Sequence, residues 1–194
     1  MRSDEKILKR LENKALHYLG KYATTEARLR QVLSRFALRK MDDEDPEYMR
    51  QMIDKMVTLC VEKGYVNDRI FAEQKTASLR QAGGSRMAIS RKLMQRGVER
   101  NVIKDALDQF DHDYQQDHEH DAELESALIY ARKRRLGPYA KLPMGKTTMK
   151  DGWQHRHYAS FARAGFTSRT ISTVMALNTP DDAEKLLADG VGLK

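Results

Sequence analysis

The chain is short of several things, and each shortage closes off a class of protein. It holds one cysteine, Cys60, among 194 residues. That excludes an internal disulfide framework and any cysteine-based metal cluster, and it fits a reducing compartment. The longest apolar stretch, Met56 to Val61, is far too short to span a bilayer, and no charged-then-apolar leader opens the chain. A soluble, cytoplasmic protein with no membrane partner is expected. Strand signals are almost missing, since no short window alternates β-branched or aromatic with polar residues between turn signals. Apolar material is scarce as well, at 40% hydrophobic against 32% charged residues and a mean hydropathy of −0.72. This is more charge than a globular enzyme usually carries. Long solvated helices are favoured over one large core.

Helical spacing is what the sequence does have. Ile53, Met56, Val57, Cys60 and Val61 fall at i, i+3, i+4, i+7 and i+8, making one apolar stripe that ends at Gly64. Val102, Ile103, Ala106, Leu107 and Phe110 make another. Leu124, Leu128 and Ala131 predict a long helix from about Tyr114 to Arg135, stopped by Gly137-Pro138. The fold class is all-α.

The pattern also repeats. Leu93-x-x-x-Gly97-Val98, followed by Ile103 and Leu107, recurs at an offset of 68 as Phe161-x-x-x-Gly165-Phe166, followed by Ile171 and Met175. A fainter copy lies upstream at an offset of 60, where Thr25, Leu29 and Leu33 correspond to Ser85, Ile89 and Leu93. Thr25 and Ser85 sit where a helix needs a hydroxyl to accept its orphan N–H groups. Gly97 and Gly165 sit where a helix must stop in a left-handed turn. Each repeat reads as a lead helix, a short helix, a tight glycine turn and a third helix. Three three-helix repeats are expected, at 1–64 (with an acidic insertion at 39–48), 65–113, and 114–178 (with a loop at 137–152), before a tail at 179–194. Repeats this small bury little apolar surface alone, so an elongated, curved array is expected.

Net charge is +7 and the isoelectric point near 9.4, which puts nucleic acid or an acidic protein surface first among partners. Residues 83–104 carry six basic side chains against Glu99 alone, 105–131 carry nine acids and no Lys or Arg, and 132–156 carry eight basic residues against Asp151. Alternation of sign for solubility would give the same pattern.

Lys63-Gly64-Tyr65-Val66-Asn67-Asp68-Arg69-Ile70-Phe71-Ala72-Glu73 resembles the junction between the first and second units of the RecX regulatory proteins. Gly84-Ser85-Arg86-x-x-Ile89-x-x-x-Leu93-x-x-Arg96-Gly97-Val98 is similar to their second unit, and Ala164-Gly165-Phe166-Thr167 followed by Ile171 to their third. The resemblance runs from about Leu16 to Met175. The acidic insertion is similar to that of the enterobacterial branch, while Arg163-Ala164 stands where the third unit of the family usually has a basic pair. The resemblance implies a monomeric, cofactor-free, non-catalytic protein of three tandem repeats. Such proteins lodge in the helical groove of RecA filaments on DNA and lower their ATPase, strand-exchange and LexA-cleavage activities. The implied partners are the RecA filament and single- or double-stranded DNA bound without sequence preference. Phosphate contacts release counterions, so affinity should fall steeply with salt.

The candidate filament- and DNA-binding residues are Arg86, Arg91, Lys92, Arg96 and Arg100 around the short helix of the second repeat, and Arg132, Lys133, Arg134 and Arg135 at the end of the long helix. Their plainer alternative is a solvated face, or for 132–135 a set of charges that complements a helix C-terminus. Lys146 and Lys150 add positive charge to the loop. Tyr65, Phe71 and Trp153 read as packing residues.

Two alternatives belong to other classes. A helix-turn-helix nucleic-acid binder would need base-reading side chains at the start of a recognition helix and a dimer seam, but the helices begin Arg86-Met87 and Ser168-Arg169, and no heptad seam is present. A nucleotide-binding enzyme is suggested by Ala140-Lys141-Leu142-Pro143-Met144-Gly145-Lys146-Thr147, a relaxed phosphate-loop pattern lacking its first glycine and its strand. His112, His118, His120 and Asp121 lack the spacing of a helical metal site. No metal, cofactor or catalytic residue is assigned.

Overall fold

Thr25, Asp45 and Asp121 each begin a helix, and their side chains accept the N–H groups of Arg28, Tyr48 and Leu124 at 3.2, 2.8 and 2.6 Å. In the computed structural model, residues 3–41, 44–118, 121–141 and 152–189 are described. Their order is α1 (Ser3–Leu19), α2 (Glu26–Lys40), α3 (Pro46–Glu62), α4 (Asp68–Gln81), α5 (Arg86–Gln95), α6 (Arg100–Asp117), α7 (Ala122–Arg134), a short 3-10 turn (Gly137–Tyr139), α8 (Trp153–Ala164), α9 (Ser168–Ala176) and α10 (Pro180–Asp189). No strand occurs among the described residues. The fold is all-α.

These helices pack as two compact bodies, one within Met1–Ala72 and Leu93–Ile103, the other within Glu73–Lys92 and Lys104–Lys194. In the first body, Ile7, Leu11 and Ala15 of α1 and Leu29, Leu33 and Ala37 of α2 recur every four residues and are all buried. They meet the predicted α3 stripe, of which Ile53, Met56, Val57 and Cys60 are buried and Val61 packs at its edge. Each fully buried Leu contributes about 1.5–3 kcal/mol of apolar transfer. The acidic insertion ends in a helix start: Asp45 caps α3, and Pro46 occupies the first helical position, where its missing N–H is no loss. In the second body, Phe161, Leu128, Ala127, Ala131, Ile171 and Val174 form the centre of the core. Tyr130, Phe161 and Phe166 surround one another with ring centroids 5.5–5.9 Å apart.

The sequence echo has a physical counterpart in each body. In the first, the Thr25 hydroxyl caps α2 and also donates to the Arg96 carbonyl at 2.6 Å, while the Glu26 N–H donates to Asp68 at 2.9 Å. In the second, the Ser85 hydroxyl caps α5, donating to the Ala164 carbonyl at 2.6 Å, and the Arg86 N–H donates to Glu123 at 3.0 Å. A glycine follows each accepting carbonyl. Gly97 and Gly165 adopt φ of +82° and +91°, and a Cβ on Gly97 would stand 2.2 Å from the Ala27 Cβ. On Gly165 it would meet the Ser85 hydroxyl at 2.8 Å. These turns therefore need glycine for both backbone angle and close approach.

Three expectations are corrected. The helix expected from Tyr114 to Arg135 is two helices, because α6 runs on to Asp117 and Asp121 caps a new start at Ala122. No apolar residue between Tyr114 and Asp121 holds a continuous helix against the core, and the Asp121 cap wins locally. Residues 180–189, expected in a tail, form α10, whose Ala183 is fully buried. Tyr65, expected to pack, is 52% exposed, whereas Phe71 is buried.

Candidate nucleic-acid interface

The basic residues divide into those that serve the fold and those left open. Arg80, only 3% exposed, donates to Asp111 at 2.8 Å and pairs with Glu123. Arg86 joins the same network, pairing with Asp108 and, at 2.7 Å, with Asp111. Burial works against the Arg86 charge, but its bonds to Asp108 and Asp111 outweigh it and hold the guanidinium above its ordinary pKa. The Asp108 carboxyl is held below the usual range by its bonds to Lys104 and Arg86. Arg86 is thus bound within the second body; its sequence signature did not reveal this because its partners lie on a later helix.

The run at the end of α7 divides likewise. Arg132 pairs with Glu184 of α10 at 3.2 Å, and the Lys133 ammonium donates to the Ala82 carbonyl at 2.8 Å. Arg135 closes the helix in a left-handed conformation, φ 56°, its side chain exposed. The Arg134 guanidinium lies over the Tyr130 ring, 5.9 Å from its centroid. Among the described residues, Arg91, Lys92, Arg134 and Arg135 of the second body form no ion pair, nor do Arg96 and Arg100 of the first. All six are exposed. The candidate residues therefore fall in two bodies.

Lys92 and Arg134 line a common cleft of about 530 Å³ in the second body, and Arg163 lines it with them. Arg163 is exposed and was not among the candidates read from the sequence. The repeat gave no signal for it, since the residue two before Gly97 that corresponds to it is the uncharged Gln95. A second basic surface was missed on α2 of the first body. Lys14, Arg35, Arg39 and Lys40 surround Val32 and Phe36 at a shallow hollow of about 280 Å³, with the Lys14 ammonium 5.9 Å from the centre of the Phe36 ring. Its signal was the surplus of Arg28, Arg30, Arg35, Arg39 and Lys40 over Glu26 within one helix.

The chemical alternatives fall on other ground. His118 stacks on Tyr114 with centroids 3.7 Å apart, and His112 bonds to Gln116; His120 lies outside the described residues. No group of three or more metal-ligating side chains forms among the described residues. Burial pushes the Cys60 thiol up, favouring the inert protonated form. Most of the phosphate-loop-like segment, with Lys146 and Lys150, lies outside the described residues. Trp153, partly buried, stands edge-on to His157 with centroids 5.0 Å apart. His157 Nδ1 accepts the Gly137 N–H at 3.1 Å. No described helix is long and apolar enough to cross a membrane.

Residues 67–107, which run from the start of α4 into α6, match the family model described as RecX, second three-helix domain. A Regulatory protein RecX of Myxococcus xanthus (strain DK1622) is 33% identical over 170 residues, spanning 87% of this chain and 85% of the relative. The chain belongs to the RecX family. A Regulatory protein RecX of Agrobacterium fabrum is 30% identical over 185 residues, spanning 95% of this chain and 91% of that one. The crystal structure of RecX from Lactobacillus salivarius has the same fold, with a TM-score of 0.63 at 18% identity over 88% of this chain and 96% of that chain. RecX membership thus rests on nearly the whole chain, and the repeated hydroxyl-to-carbonyl joint lies partly in the segment matched to the second RecX domain.

Proposed function

We propose that this RecX-family chain is a monomeric, non-catalytic regulator that binds in the groove of the RecA–DNA filament and lowers RecA ATPase, strand exchange and LexA cleavage. Its three tandem three-helix repeats would lie against the filament through their unpaired cations, among them Arg91, Lys92, Arg96, Arg100, Arg134 and Arg135. The observation that carries this reading is the 33% identity to a RecX regulatory protein across 87% of the chain. The charge distribution supports it. A filament offers DNA phosphates and acidic protein surface to exposed cations that pair with no carboxylate among the described residues, and such contacts carry little sequence preference. Inhibition then requires no chemistry by this chain, because bridging neighbouring subunits holds them away from the geometry of turnover.

The test is direct. Purified protein added to RecA on single-stranded DNA, below one copy per RecA, is expected to slow ATP hydrolysis and LexA self-cleavage. Unchanged rates at saturating protein would overturn the proposal.

A further inference from the structure

We propose that Lys92, Arg134 and Arg163 form a seat for the sugar-phosphate backbone of nucleic acid, in the 530 Å³ cleft of the second body. The inference rests on the filament reading and names the place where that surface takes phosphate.

Among the described residues, three cations line this cleft and no carboxylate does. In the same body, Arg80, Arg86, Lys104 and Arg132 are each given an acidic partner. The fold therefore neutralises cations where charge serves structure. Three neighbouring cations without an acidic partner among the described residues raise the self-repulsion of the folded state, a cost that a bound anion relieves. The Arg134 guanidinium lies over the Tyr130 ring, and the Tyr130 hydroxyl is itself tied to Ser160 at 3.2 Å. That contact, worth about 0.5–1 kcal/mol at an exposed site, biases one of the three cations towards the cleft.

The cleft wall also argues against a peptide docking as an added strand. Such a peptide is held largely through main-chain hydrogen bonds to open backbone groups. Here those groups are spent: the Gly83 and Gly84 N–H groups donate to Arg80 and Leu79, the Ala82 carbonyl accepts from Lys133, and the Ala164 carbonyl accepts from Ser85. What remains on offer is side-chain positive charge, which suits a strand presenting phosphate oxygens at intervals and no peptide groups.

The experiment measures binding of a labelled thirty-nucleotide oligo-dT by fluorescence anisotropy, without RecA, over a series of salt concentrations. The K92Q/R134Q/R163Q variant is expected to bind roughly tenfold or more weakly at low salt, with a log–log salt slope shallower by about 2, as loss of three phosphate contacts on a single strand predicts. The single R163Q variant should weaken binding, whereas K104Q, which removes the same charge from the Asp108 pair, should not. An unchanged melting temperature in the triple variant shows that the fold is intact. Wild-type affinity and slope in that variant would overturn the proposal. It would equally be overturned if oligo-glutamate binding were lost while oligo-dT binding stayed, for the cleft would then be an acidic-peptide site. Failure of the wild type to bind oligo-dT would also sink it, yet inhibition of RecA by the same protein would leave the filament reading standing.

Discussion

His157 holds the turn after α7 through one acceptor. Its Nδ1 takes the Gly137 N–H at 3.1 Å, so the ring must be neutral, with its proton on Nε2. Burial, and then the charge of Arg156, lower its pKa below the ordinary 6.5. A depressed histidine stabilises the fold fully above its unfolded value and loses that contribution as pH falls through the folded one. Urea unfolding followed from pH 7.5 to pH 5 should show a loss of stability in the wild type. His157→Asn keeps an acceptor near the same place without titrating, so it should lose distinctly less over that window. Parallel pH profiles for the two proteins would refute the assignment. The residue scale is also where the sequence was least readable. Arg86 looked like any other member of a basic cluster, because Asp108 and Asp111 stand in an acidic stretch that charge counting treats as a separate block. Arg163 was hidden for the opposite reason: its neighbours in sequence are apolar, and only folding brings it beside Lys92 and Arg134.

At the scale of elements, periodicity and punctuation were legible. The α3 stripe, the Thr25 and Ser85 starts and the two left-handed glycine turns follow from short-range rules that tertiary packing here reinforces. The break between α6 and α7 was not legible, since Leu124, Leu128 and Ala131 fix a helix without fixing its beginning. The glycine turns permit a quantitative check. Gly64 adopts φ +71° with nothing within 4 Å of an added Cβ, whereas at Gly97 that atom would lie 2.2 Å from the Ala27 Cβ. Gly64→Ala should therefore cost only the backbone strain, about 1–2 kcal/mol. Gly97→Ala should cost that plus about 1–3 kcal/mol of overpacking. Urea midpoints at constant m-value measure both. Equal losses at the two positions would mean that the close approach at Gly97 is relieved at no expense.

For the whole molecule, charge sets the behaviour. The chain carries +7, and internal pairs such as Asp108 with Lys104 and Arg86 withdraw cations and acids together. The positive excess therefore stays with the open cations, where a partner meets it. On the filament reading, the concentration of this protein that halves RecA ATPase should rise at least about tenfold between roughly 50 and 200 mM salt, in line with several released counterions. The assay must be referred to RecA alone at each salt concentration. A half-inhibitory concentration that ignores salt would remove phosphate contact from the mechanism.

The hydroxyls of Thr25 and Ser85 each accept one hydrogen bond and donate another. Among good helix-capping side chains, an ionised aspartate can only accept, so it could start the helix but not hold the carbonyl beyond it. Initiation of a helix and its attachment to a distant stretch of chain therefore share a single oxygen atom, and each makes the other more favourable. Each body should accordingly melt in concert, rather than fray one helix at a time.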